Sequence, residues 1–203
     1  MIKLTATAFK DVVKRERCVF PLNTKPILNI ATQNSQCTRK TVVGSMKELF
    51  IEFQDADVGR SVDDWERWYL SNGGVKKIQD ATDKLFAYLN KMPLDHNVFT
   101  RKIAEDYILD LVINKTHYGM SGEYYAVLAT ANYFKLDYRF STADEESQGI
   151  DAWLGNKPVQ VKPHDSVAKH HVRNAADVNK TLVITYEAKA DRCYVNNPEF
   201  MNK

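Results

Sequence analysis

The sequence predicts an α/β chain in which a central mixed β-sheet, flanked by helices, follows a mainly helical N-terminal region. Three observations carry that reading. Up to about residue 115 the apolar residues recur at helical spacing. Beyond it the pattern shifts to short alternating runs, and a two-residue hairpin signal, Gly155-Asn156, separates two of them. With 203 residues, 44% hydrophobic and 27% charged, the chain is long enough for one well-buried core and ordinary for a globular protein. We expect a single domain over 1–203, with 1–115 mainly helical and 116–203 the α/β core.

Taken in order, Val43–Phe53, Val62–Leu70, Val75–Leu89 (stopped before Pro93) and Thr100–Ile113 read as helices. Asn72-Gly73-Gly74 reads as a turn between two of them. After residue 115 the expected order is helix, strand, strand, strand, helix, strand. Ser121 is a candidate N-cap, after which Tyr124, Val127, Leu128 and Ala131 form one stripe of a helix to Phe134. Leu136–Phe140 alternates as a strand, Ser141–Gln148 reads as a loop, and the Gly155-Asn156 hairpin follows. A further helix is expected near Val167–Ala176.

No apolar run reaches the roughly 18 residues of a membrane span, and Lys3, Lys10, Asp11, Lys14, Arg15, Glu16 and Arg17 interrupt the first twenty residues. No membrane association is expected, and the protein should stay where it is made. Three widely separated cysteines, Cys18, Cys37 and Cys193, lack the CxxC spacing of a zinc site and suit a reducing cytoplasm. No Gly-rich phosphate loop appears, so no nucleotide cofactor is expected. His96, His117 and the tryptophans read as structural.

Net charge is only +2, but the charges are segregated. Residues 1–40 carry eight Lys or Arg against two acids, and 157–180 are also basic, with His164, Lys169, His170, His171 and Arg173. The stretch 48–110 is acidic and reads as a solvated scaffold. Two basic ends that converge would make a phosphate-binding surface; scattered solvated lysines are the plainer alternative.

The segment with chemistry is Glu146–Pro163. If Gly155 and Asn156 form the turn, Leu154 pairs with Lys157 and the ladder sets Asp151 opposite Gln160. Lys162 then shares the Gln160 face, while Val159 and Val161 point to the other. A carboxylate, an amide and backbone oxygens near Val161 form a hard-oxygen set suited to Mg2+, and a lysine beside it can orient a water or offset developing negative charge. A hairpin with a solvated polar face would also place these residues so.

Asp151, eight residues, Gln160, one residue, Lys162 resembles the PD-(D/E)XK nuclease motif. That resemblance implies catalytic roles for Asp151, Gln160 and Lys162, and metal contacts from Asp151, Gln160 and Val161. A glutamate near the start of the preceding helix often joins the metal in that superfamily, and Glu123 matches, although a first-turn Glu also complements a helix dipole. Gln160 stands where a second acid is usual, so Glu123, Glu145 or Glu146 is expected to supply it. Leu28–Arg39 with Val42–Met46, and Glu146–Pro163, are similar to the two blocks of MjaI-type restriction endonucleases. This second resemblance implies a type II enzyme that cuts double-stranded DNA at a short palindromic site as a homodimer. Gln33, Asn34, Gln36, Arg39 and Lys40 are chemically suited to base edges or phosphates, and equally to capping turns. His164, Lys169 and Arg173 are candidate phosphate contacts. A nuclease of the same fold that reads DNA structure, as in phage or recombination enzymes, and a non-enzymatic DNA-binding protein with a decayed site are the other readings.

Overall fold

The computed structural model describes residues 2–4, 18–164, 181–189 and 192–196. The chain divides into two compact units: Lys14–Tyr118, and Met1–Val13 together with Gly119–Lys203.

The first unit is helical: α1 (Thr24–Ser35), α2 (Lys40–Val43), α3 (Met46–Asp55), α4 (Val62–Tyr69), α5 (Val75–Leu89) and α6 (Arg101–Leu109). α1 was not among the expected helices, because its buried side is Thr24, Leu28, Ala31 and Thr32, half of it polar. The single helix expected over Val43–Phe53 is two, broken at Gly44. The glycine's φ of +94° suits no other residue well, and an added Cβ would lie 2.6 Å from Leu49 Cδ1. Ser61 starts α4 with a reciprocal capping box to Asp64, and the Thr100 hydroxyl accepts from the Ile103 amide at the start of α6. Asn72 and Gly73 leave helical geometry between α4 and α5, so the expected turn is present.

These helices close around aromatic rings. Phe50, Phe53, Trp65 and Tyr69 are buried, with Trp65 at 5.7, 5.5 and 5.4 Å from the other three. Rings of this size bury about 150–250 Å² each, so this cluster dominates the unit's hydrophobic stabilisation. Its polar atoms are satisfied: Tyr69 donates to the Val43 carbonyl at 2.9 Å and Trp65 to the Val112 carbonyl at 3.3 Å.

The second unit holds one six-stranded sheet. Its elements are β1 (Ile2–Leu4), β2 (Tyr138–Phe140), α8 (Ala143–Ser147), β3 (Ala152–Leu154), β4 (Lys157–Pro163), β5 (Leu182–Lys189) and β6 (Arg192–Asn196), with most of α7 (Thr116–Phe134). The strand order is β1-β6-β5-β4-β3-β2, antiparallel except for β4 and β5, so the sheet is mixed as expected. A parallel pair needs a crossover of a dozen or more residues, and the chain between β4 and β5 supplies that length; the helix expected over Val167–Ala176 lies outside the described residues. Two strands follow instead of one, and β1 pairs with β6, a partnership between the chain's extremes that local pattern cannot reveal. α8 occupies part of the expected 141–148 loop.

α7 covers one sheet face. Tyr125, Ala126 and Ala129 join Val159, Val161 and Ile184 in a common buried cluster. Helical geometry is unbroken from residue 101 to 134, through a π segment at Asp110–Lys115. Ser121 is therefore an interior residue, 1% exposed, rather than an N-cap. Gly122 sets the closest approach to the sheet, since a Cβ there would lie 2.5 Å from the Tyr186 ring. Among the described residues no helix is long and apolar enough to cross a membrane.

His117 belongs to the helical unit's core. It is fully buried, 5.8 Å from the Phe50 ring, and its Nε2 lies 2.9 Å from the Arg60 carbonyl. A carbonyl only accepts, so Nε2 carries the proton and Nδ1 is a bare acceptor. Burial pushes the imidazole below its ordinary 6.5, outweighing the upward pulls of the Arg60 bond, Asp64 and Asp63. Because the folded value is depressed, the neutral ring stabilises the fold fully above about pH 6.5, and this contribution is lost as pH falls toward the folded value. We expect urea unfolding of the wild type to weaken between pH 7.5 and 5 by up to about 1.4 kcal/mol per pH unit, and His117→Gln, which keeps a donor for Arg60, to show a flatter profile. Identical pH profiles would refute this role.

Candidate active site

The hairpin that builds the site is set by local backbone chemistry. Of its two loop residues Gly155 alone has positive φ, +59°, the pattern of a II′ turn. Leu154 pairs with Lys157, Trp153 with Pro158 and Ala152 with Val159, the register expected from the turn. Val159 and Val161 are buried, whereas Gln160 and Lys162 are half-buried on the face away from α7. In β5 the register partners on that same face are Val183 for Gln160 and Thr185 for Lys162.

Asp151 departs from the ladder's regularity. β3 begins only at Ala152, and the Asp151 amide donates to the Val159 carbonyl at 2.8 Å. Its carboxylate Oδ2 accepts from the Val161 amide at 2.7 Å. A strand residue presents its N–H and C=O on one edge. The Val161 carbonyl therefore leaves β4 on the same side, next to Asp151 and past the last β3–β4 pair. Asp151, Gln160, Val161 and Lys162 are thus neighbours in the register where the β3–β4 pairing stops and β4 continues. Gly149 makes room for Gln160: its φ is +82°, and a Cβ would sit 3.3 Å from Gln160 Nε2.

Three hard oxygen donors, the Asp151 carboxylate, the Gln160 amide and the Val161 carbonyl, fit a magnesium ion, which is commonly held by one or two carboxylates with water completing the shell. Among the described residues no three His, Cys, Asp or Glu side chains cluster as a metal site. Glu123 is half-buried on α7, which packs on the opposite face; it follows Gly122, whose close neighbour Tyr186 pairs with Pro163 just past Lys162.

Glu145 has a different task from the one expected. It receives both Arg139 guanidinium nitrogens, at 2.8 and 2.6 Å, the Trp153 indole at 3.0 Å and the Thr142 amide at 2.9 Å. Arg139 in turn lies over the Trp153 ring, 5.0 Å from its centroid. The Arg139 bond first, and then the Thr142 amide, hold the Glu145 carboxyl down at about 2. The Glu145 carbonyl accepts from Gln148 and Ile150, and that of Glu146 from Gly149. The clamp thereby closes 142–150 into the compact loop that delivers Asp151. Thr142-Ala143-Asp144-Glu145 is a capping-box sequence, and α8 has both of its bonds; that signal could have shown Glu145 to be structural. Glu146 is exposed on the same short helix.

The remaining candidates lie elsewhere. Gln33, Asn34, Gln36, Arg39 and Lys40 are all exposed, from the end of α1 to the start of α2. Gln36 is the left-handed C-cap of α1, and the Asn34 amide donates to the Ile30 carbonyl at 2.8 Å, so two of them also shape the backbone. His164 is exposed just after β4; Lys169 and Arg173 lie outside the described residues.

A mixed sheet packed with helices is consistent with the fold class of restriction endonucleases. The model of the MjaI restriction endonuclease family matches residues 25–196, and the chain belongs to that family. It is 34% identical over 158 residues, 76% of each chain, to the type II restriction enzyme MthZI of Methanothermobacter thermautotrophicus. To the type II restriction enzyme MjaI of Methanocaldococcus jannaschii it is 29% identical over 199 residues, 93% of this chain and 89% of that one. No solved structure matches the chain.

The clamp predicts that Glu145→Ala, by freeing the loop before Asp151, lowers the cleavage rate on the order of 10- to 100-fold, as a misplacement of about 1 Å does, without changing DNA affinity. Single-turnover rates and binding titrations measure both; an unchanged rate would remove the clamp from the positioning of Asp151.

Proposed function

We propose that the chain is a magnesium-dependent type II restriction endonuclease of the PD-(D/E)XK kind, hydrolysing both strands of a short palindromic DNA site. The observation that supports this most is the Asp151 carboxylate bonded to the Val161 amide, between the side chains of Gln160 and Lys162. Asp151, Gln160 and the Val161 carbonyl would hold the ion, and Glu123 or Glu146 is the candidate second carboxylate. Held there, magnesium would offset charge on the non-bridging phosphate oxygens and lower the pKa of a coordinated water. Lys162 holds the attacking water in line or stabilises the negative charge that develops on phosphate. Asp151 is fixed by its amide bond before DNA arrives, so little reorganisation precedes the reaction. The helical residues up to about 115 serve recognition and dimerisation, since two-fold symmetry matches a palindrome.

The bond to Val161 shapes the test. Asp151→Ala would orphan a buried amide at a cost of about 1–3 kcal/mol, whereas Asp151→Asn keeps an acceptor and removes the charge. We expect Asp151→Asn and Lys162→Ala to abolish cleavage of plasmid DNA, while the wild type gives discrete bands in magnesium and Lys162→Ala still binds DNA. Near-normal turnover by either variant would remove its residue from the reaction centre, and a smear in place of bands would replace sequence reading by structure reading. Gln160→Glu adds a ligand charge at constant length, so calorimetry should find tighter magnesium binding; weaker binding would place Gln160 outside the metal's contacts.

A further inference from the structure

We propose that α5 carries a second part of the DNA-binding surface, in which Lys77 and Lys84 hold the sugar-phosphate backbone beside the polar row of α1 and α2. This rests on the reading of the protein as a DNA endonuclease. Residues 18–46 contain Lys25, Arg39 and Lys40, all exposed, and no Asp or Glu. α5 packs against both α1 and α2. Lys77 and Lys84 are seven residues apart, which is two helical turns, so they share a face.

That face meets the α1–α2 turn at both ends. Lys77 Nζ lies 3.4 Å from where a Cβ on Gly44 would be, at the end of α2, and 5.7 Å from the Tyr69 ring centroid. Lys84 is exposed and near enough to Cys37, at the end of α1, to act on its thiol electrostatically. Arg39 and Lys40 are exposed between them. The carboxylates of α5 do not neutralise this surface: Asp80 is held by Lys76 at 3.2 Å and Asp83 by Arg101 at 2.7 Å. Neither Lys77 nor Lys84 has an ion-pair partner among the described residues.

Lys77 is half-buried and Lys84 exposed, and a row of cations of this kind is matched by a polyanion. At 1.5 Å per residue Lys77 and Lys84 are about 10 Å apart along the axis, the axial length of about three base-pair steps at 3.4 Å each. Cations so spaced follow a strand of duplex DNA and set its register, while Gln33, Gln36 and Arg39 present groups suited to base edges. The acidic average of 48–110 hides this, because the acids of α5 are already engaged, Asp80 by Lys76 and Asp83 by Arg101.

The test is equilibrium binding to a cognate and a random duplex at several salt concentrations, in EDTA so that DNA is not cut. Each phosphate contact contributes about −0.9 to the slope of log K against log salt. The pair Lys77→Gln and Lys84→Gln should weaken both duplexes alike and flatten the slope by roughly 2. Lys84→Gln alone, at an exposed position that cannot disturb the core, should flatten it by roughly 1. An unchanged slope in both variants, or a loss confined to the cognate duplex, would overturn the assignment. Wild-type protein that neither binds nor cuts DNA would instead take down the endonuclease reading itself, so the two failures are distinguishable.

Discussion

The Val161 amide points off the edge of β4 at a level where β3 has already ended, and the Asp151 carboxylate, at 2.7 Å, is its acceptor. A buried strand amide without a partner costs about 1–3 kcal/mol, so the fold itself demands an acceptor at this point. The group that meets the demand is also an acid next to Gln160 and Lys162 by the hairpin register. Structural need and the proposed chemical use thus coincide in one side chain, which a backbone amide holds in place.

Much of the sheet unit can be understood as support for that bond. The II′ turn at Gly155 sets the register, and register decides that Gln160 and Lys162 flank Val161 on the face away from α7. Gly149 turns the chain with a left-handed φ and leaves space for the Gln160 amide. The Arg139, Glu145 and Trp153 clamp fixes the loop ahead of Asp151, using one of the strongest pairings available at a surface, a bidentate guanidinium and carboxylate. On the other face, Gly122 lets α7 approach the ring of Tyr186 and closes the core.

The helical unit works differently. Its stability lies in rings, Phe50, Phe53, Trp65 and Tyr69, joined by an imidazole that must remain neutral to stay buried. Its outer surface pairs charge locally: the acids of α5 meet Lys76 and Arg101, while Lys77 and Lys84 share a face with no ion-pair partner among the described residues. A polyanion responds to that face, not to the net charge of the segment.

The sequence by itself determined what depends on neighbours along the chain. Gly155-Asn156 fixed a turn, the turn fixed pairing sums, and period-two alternation then put Gln160 and Lys162 on one face. The helices from Val62 to Ile113 announced themselves through apolar spacing, whereas α1 stayed hidden because Thr24 and Thr32 are buried polar residues. Tertiary structure decided what depends on distant parts of the chain. Only the fold pairs β1 with β6, carries α7 past Ser121 without a break, and begins β3 one residue after Asp151, so that its carboxylate turns to the edge of β4. Only the fold joins Glu145 to Arg139 and Trp153, removing it from the candidate metal ligands, and brings α5's lysines against the α1–α2 turn. The reason is physical: backbone periodicity constrains which way a residue points relative to its neighbours, but the partner it meets is set by packing between elements far apart in sequence.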